Sequence, residues 1–393
     1  MTEDLLLAEL LAKPVGPAIA RATDSDRGFT RRIQISGDSA EVTVRAAQPE
    51  ADPEAAADHL RAHGHDPGQW TVTGMRSSEW TMPGGGTGVA TRYSFTRTQP
   101  ADTGLDLDEL LAEIRAHQPS AERPGGEHGY LVLLGDMQFG KSDGDGPAGT
   151  LHRTIGCLNR AADLLLGYRE RFDIGHVHVG WLGDHIEGFV SQGGANTWRT
   201  TLTLTEQVRL TRRVMLHALA LFAPLAQRVS MAAVPGNHGE AVRIAGHGVT
   251  RYDDSHDTEA LIAVHDAAQL NPEAFGHVEF LVPQTDELTV VAEVAGTVVA
   301  HAHGHQWRPG KHMDWWRGQA FNRASALHRA DLLVAGHLHH EFVDTDGPRT
   351  FIQVPALESD STWYRHARGT TGAPGLIVAV TRDGITNIKE VVR

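Results

Sequence analysis

The chain has 393 residues, of which 40% are hydrophobic and 21% are charged. This length predicts about two or three domains with a sizeable core, and the ordinary globular composition excludes wholesale disorder. The net charge of −14 disfavours non-specific coating of nucleic acids. A local basic patch or a bound metal ion remains compatible with it.

Cys157 is the single cysteine, which excludes an intrachain disulfide and a cysteine-based zinc cluster. The acidic N-terminal residues do not resemble a signal peptide, and no apolar run is long enough to span a membrane. We therefore expect a cytoplasmic protein without a membrane partner. Histidine is in excess, with 24 residues, and imidazole binds metals and transfers protons near neutral pH.

Residues 1–100 are predicted to form a small N-terminal α+β domain. In chain order its predicted elements are a helix at Leu5–Leu11, strands within 31–46, a helix at 53–64, and strands at 70–82 and 90–98. Such a domain could bind nucleic acid or a protein partner, or form a homo-oligomer, or only pack.

A linker with a helix at Leu105–His117 is predicted for residues 101–128, and residues 129–393 form the predicted catalytic domain. In this domain, short apolar runs alternate with helical stretches, which is typical of a layered α/β fold. The longest helix is predicted at Thr205–Leu225, and the acidic, glycine-rich residues 141–149 are predicted to form a loop.

Five of these apolar runs end in residues of types that can bind metals, although His340 is expected to lie at the surface. The ends are GDMQ with Asp136 and Gln138, GDHIEG with Asp184 and Glu187, GNHGE with Asn237 and His238, HAHGH with His301, His303 and His305, and GHLHH with His337, His339 and His340. Because ligands bind at the carboxyl ends of strands in open α/β sheets, we expect these ends to meet at one place.

The residue types predict a site for two divalent cations. Asp136 and Asp184 supply charge, with Asp184 as the natural bridge, and Asn237 offers an amide oxygen. His303, His337 and His339 offer imidazole nitrogens. A hydroxide between two such cations would attack phosphorus, and His238 could protonate the leaving oxygen.

The ordered set GD-x-Q, GD-x-x-E, GNH-x-E, HGH and GH-x-H resembles the calcineurin-like metallophosphoesterase superfamily over about residues 128–382. The resemblance implies a two-layer β-sandwich flanked by helices and a dinuclear Mn, Fe or Zn site. It implies one metal at Asp136, Gln138, Asp184 and His339, a second at Asp184, Asn237, His303 and His337, and a phosphate-contacting acid at His238. Within the superfamily, the sequence is closer to the DNA-repair exonuclease type than to the protein phosphatases.

Gln138 departs from that pattern, in which a histidine is expected. An amide oxygen is a harder and weaker donor than imidazole, so Mn is the preferred metal, with Fe, Zn or Mg as alternatives. Gln138 could instead be an uninvolved loop residue. His301 is the alternative to His303 as a ligand, and His305 could contact substrate or simply be exposed.

Basic and aromatic residues accompany the motifs. Arg308, Lys311 and Arg317 follow the fourth motif among tryptophans, and Trp198 and Arg199 follow the second. They predict a nucleic-acid or nucleotide substrate, unless the tryptophans are core residues and the arginines are solvated. The predicted function is a metal-dependent phosphodiesterase or nuclease. The alternatives are a phosphatase, a cyclic-nucleotide phosphodiesterase, and a non-catalytic binding module with a degenerate metal site.

Overall fold

The computed structural model describes residues 31–36, 39–46, 53–62, 65–67, 70–81, 87–97, 123–191, 194, 200–244, 247–248, 251–359, 369 and 372–393. The chain divides into two compact units, residues 12–107 and the remainder. We call them the N-terminal unit and the larger unit. The helices predicted at Leu5–Leu11 and Leu105–His117 lie outside the described residues.

The strands of the N-terminal unit are β1 (Arg31–Ser36), β2 (Ser39–Ala46), β3 (Trp70–Thr81) and β4 (Thr87–Arg97), and its helix is α1 (Pro53–Ala62). The strands form one antiparallel sheet in the order β1-β2-β4-β3. Val42, Leu60, Trp70, Tyr93 and Phe95 are buried together between the sheet and the helix. This is the small α+β arrangement that the sequence predicts.

The larger unit contains two main sheets and a short hairpin. Its strands are β5 (His128–Leu134), β6 (Ile174–Trp181), β7 (Arg228–Ala233), β8 (Arg243–Ile244), β9 (His247–Gly248), β10 (Val278–Leu281), β11 (Val290–Val294), β12 (Thr297–His301), β13 (Leu332–Ala335), β14 (Phe342–Asp346), β15 (Arg349–Gln353), β16 (Leu376–Arg382) and β17 (Ile385–Val392). Its helices are α2 (Gly146–Tyr168), α3 (Leu204–Phe222), α4 (His256–Ala268), α5 (Pro272–Phe275) and α6 (His312–Phe321).

One sheet has six strands in the order β10-β7-β6-β5-β16-β17, and the other has five in the order β11-β12-β13-β15-β14. Strands β5, β6, β7 and β10 are parallel to one another, and so are β12, β13 and β15. The apolar interior between the sheets is formed by residues such as Leu131, Leu133, Val299, Val334 and Ile377. The two sheets therefore pack face to face.

Helices cover both outer faces of this sandwich. Alternate residues of β5, including Tyr130 and Val132, point away from the sandwich interior and pack with residues of α2, α3 and α4. On the other side, Trp307 and Trp316 pack against the five-stranded sheet. The predicted architecture, a two-layer β-sandwich flanked by helices, is confirmed. Because these strands are covered on both faces, they read in the sequence as continuous apolar runs.

The prediction for residues 141–149 is wrong in part, because α2 begins at Gly146 within the predicted loop. Pro147 stands in its first turn, where proline favours a helix and costs no hydrogen bond. With 23 residues, α2 is also longer than α3, which has 19 and corresponds to the helix predicted as the longest. In the part of the chain that is described, no helix is long and apolar enough to cross a membrane.

Candidate metal centre

The two sheets present the carboxyl ends of five strands to one region. Asp136 follows β5, Asp184 follows β6 and Asn237 follows β7, all in the six-stranded sheet, while His303 follows β12 and His337 follows β13 in the other. Two contacts join the sheets there. His303 Nε2 lies 2.9 Å from Asp184 Oδ2, and His339 Nε2 lies 3.3 Å from Asp136 Oδ1. Residues far apart in the sequence are thus brought within contact distance.

Asp184, His303 and His337 form a compact donor group. One ligand atom from each lies within 4.8 Å of the other two. Asn237 precedes His238, whose backbone N–H donates to Asp184 Oδ1 at 2.8 Å. The Asn237 Oδ1 atom is buried and has no hydrogen-bond partner among the described residues. A buried acceptor of this kind is costly unless a ligand completes it.

The backbone is strained at the predicted ligands. Eight non-glycine residues of the described chain have positive φ, and three of them lie at loop positions outside the motifs. The other five are predicted ligands: Asp136 (52°), Gln138 (43°), Asp184 (52°), His337 (71°) and His339 (58°). Left-handed backbone costs an L-residue on the order of 1–3 kcal/mol and is concentrated at functional sites. The fold therefore tolerates backbone strain at the residues that carry these side chains.

Two glycines allow the carboxylates to approach the neighbouring strand ends. A Cβ atom at Gly236 would lie 2.0 Å from Asp184 Oδ1, and one at Gly336 would lie 2.5 Å from Asp136 Oδ2. Both are closer than any side-chain carbon can come. Each of the GNH and GHLH motifs thus needs its glycine, because a carboxylate that follows another strand occupies the space of a Cβ atom.

Asp257, in the first turn of α4, holds two of the strand ends together and was missed by the sequence analysis. Its fully buried carboxylate accepts hydrogen bonds from the backbone N–H groups of Asp184 (3.0 Å), His185 (2.9 Å) and Gly236 (2.9 Å). These groups belong to the segments that follow β6 and β7. The sequence signal was weak, because an aspartate two residues after the N-cap Ser255 is typical of any helix start.

Glu358 and Lys141 were also missed, and they surround the Asp136 side of the centre. Glu358 is buried, and its Oε1 lies 3.0 Å from His339 Nδ1. A carboxylate in this position fixes the ring so that Nε2 faces Asp136. Lys141 Nζ lies 3.0 Å from Glu358 Oε2 and donates to Gln138 Oε1 at 3.1 Å. The amide oxygen predicted to bind a metal therefore accepts a hydrogen bond from an ammonium group.

The three predicted histidine ligands differ in protonation. Burial alone would lower the pKa of His303, but the carboxylates of Asp184 and Asp136 raise it to about 9. Burial likewise opposes protonation of His339, whose pKa Asp136 and Glu358 raise to about 10. Burial and the neighbouring His303 lower the pKa of His337 to about 4. His303 Nδ1 donates to the carbonyl oxygen of Leu182 at 2.7 Å, which directs Nε2 toward Asp184.

His238 lies beside this group in a largely buried position. Its Nδ1 donates to the carbonyl oxygen of Glu187 at 2.9 Å and lies 3.4 Å from the Glu187 carboxylate. Burial would lower its pKa, but Asp184 and Glu187 raise the pKa to about 9. The two carboxylates therefore favour the protonated ring, in which Nδ1 is held by the backbone and Nε2 carries the second proton.

His301, the alternative to His303, uses both ring nitrogens inside the sandwich. Nδ1 must donate to the carbonyl oxygen of Val290 (3.1 Å), so Nε2 accepts from His178 Nε2 (2.8 Å). His178 Nδ1 then accepts from the Ser230 hydroxyl (2.8 Å), which in turn accepts from His176 Nε2 (2.8 Å). Burial lowers the pKa of His301 to about 4. His301 thus belongs to a neutral polar chain between the sheets.

Among the described residues, those predicted to contact substrate are exposed or are paired with acidic residues at the surface. Arg308 is exposed, and Lys311 lies 2.9 Å from Asp314. Arg317 pairs with Asp346 at 2.7 Å and with Asp314 at 3.1 Å, so its charge is compensated at the surface. Within the described ranges, these basic residues form no ion pair with the predicted ligands. Trp198 and Arg199 lie outside the described residues.

Comparison with known proteins gives only distant structural matches. No protein-family profile and no curated protein sequence matches the chain. An archaeal phosphodiesterase has 10% identity over 67% of this chain and 99% of its own, with a TM-score of 0.31. Zinc-bound Vps29 from Entamoeba histolytica has 12% identity over 67% of this chain and 96% of its own, with a TM-score of 0.32. A protein of Streptococcus pneumoniae TIGR4, described as a predicted phosphoesterase, has 13% identity over 65% and 84%, with a TM-score of 0.28.

Replacing Asp257 by asparagine should loosen the centre without removing a ligand. At least one of three buried N–H groups would then face an amide NH₂ instead of an acceptor, which costs about 1–3 kcal/mol of the free energy of unfolding. Loss of such an outer partner lowers metal affinity about 10- to 100-fold. Thermal unfolding and Mn²⁺ titration measure the two effects. Asp266→Asn, at an exposed position of the same helix, is the matched control and should change neither.

Metal binding should weaken as the pH falls. Below about pH 9 the His303 ring is protonated, and a cation at Nε2 must displace that proton. Each pH unit below this value therefore lowers Mn²⁺ affinity about tenfold. Calorimetry in buffers of different ionisation enthalpy counts the protons released. An affinity that does not change between neutral and mildly acidic pH would contradict a cation at His303.

Proposed function

We propose that this protein is a metal-dependent phosphoesterase. The observation that carries the proposal is the compact group of Asp184, His303 and His337 beside the imidazolium of His238. The group offers a place for a divalent cation, and the imidazolium offers an acid within the same buried region. Hydrolysis of a phosphate ester requires positive charge near the phosphate oxygens and a proton for the leaving oxygen.

The donors at Asp184, His303 and His337 fit a divalent transition metal. One carboxylate and two imidazoles suit Mn, Fe or Zn, and the unpartnered Asn237 Oδ1 adds an amide oxygen. When bound, such a cation supplies Lewis acidity toward phosphate oxygens and activates water for attack on phosphorus. The sequence pattern predicts a further cation at Asp136, Gln138 and His339, but the proposed hydrolysis requires only the first.

The chain's own residues supply orientation and a proton. Asp257 fixes the backbone of Asp184, and the Leu182 carbonyl fixes the His303 ring. The backbone of Glu187 holds His238 at Nδ1, so the Nε2 proton is the one that can pass to the leaving oxygen. The Glu187 carboxylate, 3.4 Å from Nδ1, favours the protonated ring, and the departing alkoxide takes the proton as the P–O bond breaks.

We further propose that the substrate is a phosphodiester of a nucleotide or nucleic acid and that Mn is the preferred metal. Exposed Arg308 follows the His303 motif in the sequence, and an arginine can contact a phosphate through two hydrogen bonds. Trp307 and Trp316 are buried in the core and do not support stacking on bases. The net charge of −14 favours a local contact over coating of long nucleic acids.

The test is hydrolysis by the full chain after removal of metal and addition of Mn²⁺. A bis-aryl phosphate comes first, followed by single-stranded DNA, duplex DNA, RNA, cyclic nucleotides and a phosphopeptide. We expect turnover of diesters with Mn²⁺ and none in a chelator. Asp184→Asn, which removes the charge of the donor group, is the control and should abolish turnover with the fold retained. Turnover of the phosphopeptide alone would favour a phosphatase, and no turnover of any substrate would favour a binding module.

His238→Ala should bind Mn²⁺ normally and turn over slowly. Loss of a general acid costs about 10²–10⁴-fold in rate, and the loss should be smaller with nitrophenolate than with alkoxide leaving groups, since nitrophenolate needs no proton. Rates on both substrate types measure this. His340→Ala, at an exposed histidine of the last motif, is the control. An equal loss with both leaving groups would exclude the acid role.

A further inference from the structure

Lys141 occupies the side of the centre where the second cation is predicted. Its side chain is only 15% exposed, and its ammonium group lies between Gln138 Oε1 and Glu358 Oε2. Gln138 is itself buried, and its oxygen is directed at this ammonium group. The amide that was predicted to bind a metal is therefore engaged with a positive charge.

A positively charged side chain already lies among the carboxylates on this side of the centre. The carboxylates are Asp136 and Glu358, and both are buried. His339 lies between them and contacts each, and Lys141 contacts Glu358 from the other side. These four side chains thus form one connected chain of contacts with the Lys141 ammonium group at one end. A divalent cation bound at Gln138 would lie beside that ammonium group and would be repelled by it.

The donor atoms are also spaced differently on the two sides of the centre. Asp184, His303 and His337 have ligand atoms within 4.8 Å of one another. Elsewhere among the described residues, no second group of three carboxylate, imidazole or thiolate donors is as compact, and Asp136 and His339 do not form one with Asp184. The donors on the side with Lys141 are therefore less compact, and the amide oxygen among them already accepts a hydrogen bond from Lys141.

We propose that this protein holds one divalent cation, at Asp184, His303 and His337, and that the Lys141 ammonium group supplies the positive charge on the Asp136 side. The inference rests on the proposed function, since it assigns the metal content of the same centre. Gln138 then acts as a positioning residue for Lys141 and not as a metal ligand. The centre resembles a dinuclear one in which a lysine replaces one of the two ions.

The wild-type chain provides the first test, through the number of Mn²⁺ ions bound per chain. Equilibrium dialysis followed by metal analysis measures it, and electron paramagnetic resonance separates an isolated Mn²⁺ from an exchange-coupled pair. We expect one ion per chain with an uncoupled signal. Two ions of similar affinity, or a coupled signal, would overturn the inference.

The second test changes the side with Lys141 into a position that can bind a second cation. The double variant Lys141→Met, Gln138→His removes the ammonium group and adds an imidazole, so it should bind a second Mn²⁺ about 10- to 100-fold more tightly than the wild type does. Gln138→His alone retains Lys141 and should still bind one. Lys389→Met removes a lysine that pairs with Glu341 near the surface and should also bind one. A folded double variant that binds a single ion would show that Lys141 does not exclude the second.

Stoichiometry and turnover separate this inference from the proposed function. A chain that binds one Mn²⁺ but hydrolyses no phosphodiester would contradict the proposed function and support the inference. A chain that hydrolyses diesters with two bound ions would support the function and overturn the inference.

Discussion

The centre depends on one buried carboxylate. Asp257 accepts three backbone hydrogen bonds from the segments after β6 and β7, and through them it fixes Asp184 and the glycine that lets Asp184 approach. Hydrogen bonds to a charged acceptor are about twice as strong as neutral ones. A single side chain on α4 therefore sets the relative position of two strand ends. Asp184 can hold a left-handed backbone conformation because its own N–H is satisfied there.

The ligand-type residues of the centre could be predicted from the sequence, whereas the residues that hold them in place could not. Strand ends such as those of Asp184 and His303 could be found because each ends a continuous apolar run with a ligand-type residue. Asp257, Glu358 and Lys141 could not, because their partners lie far away in the sequence and their local patterns are ordinary. The sandwich was predictable from the rhythm of buried strands, whereas the start of α2 was not, since glycine and aspartate before Pro147 also favour a loop.

Two sets of histidines in the larger unit differ in their electrostatic environment. One set lies at the strand ends, where carboxylates raise the pKa of His303 and His339. The other set, which includes His178 and His301, is buried between the sheets, and burial lowers the pKa of these rings well below the usual value. Counting histidines cannot separate these sets, but their positions relative to Asp and Ser can. A histidine within an apolar run is therefore weaker evidence for a ligand than one just after it.

The hydrophobic layer between the sheets also affects the spacing of the donors. Asp184 follows a strand of one sheet, and His303 and His337 follow strands of the other, so the separation of these donors depends on the distance between the sheets. Side chains such as Leu133 and Val299 are fully buried in that layer, and their volumes set this distance. A larger or smaller side chain there would therefore move the donors relative to one another without touching any of them.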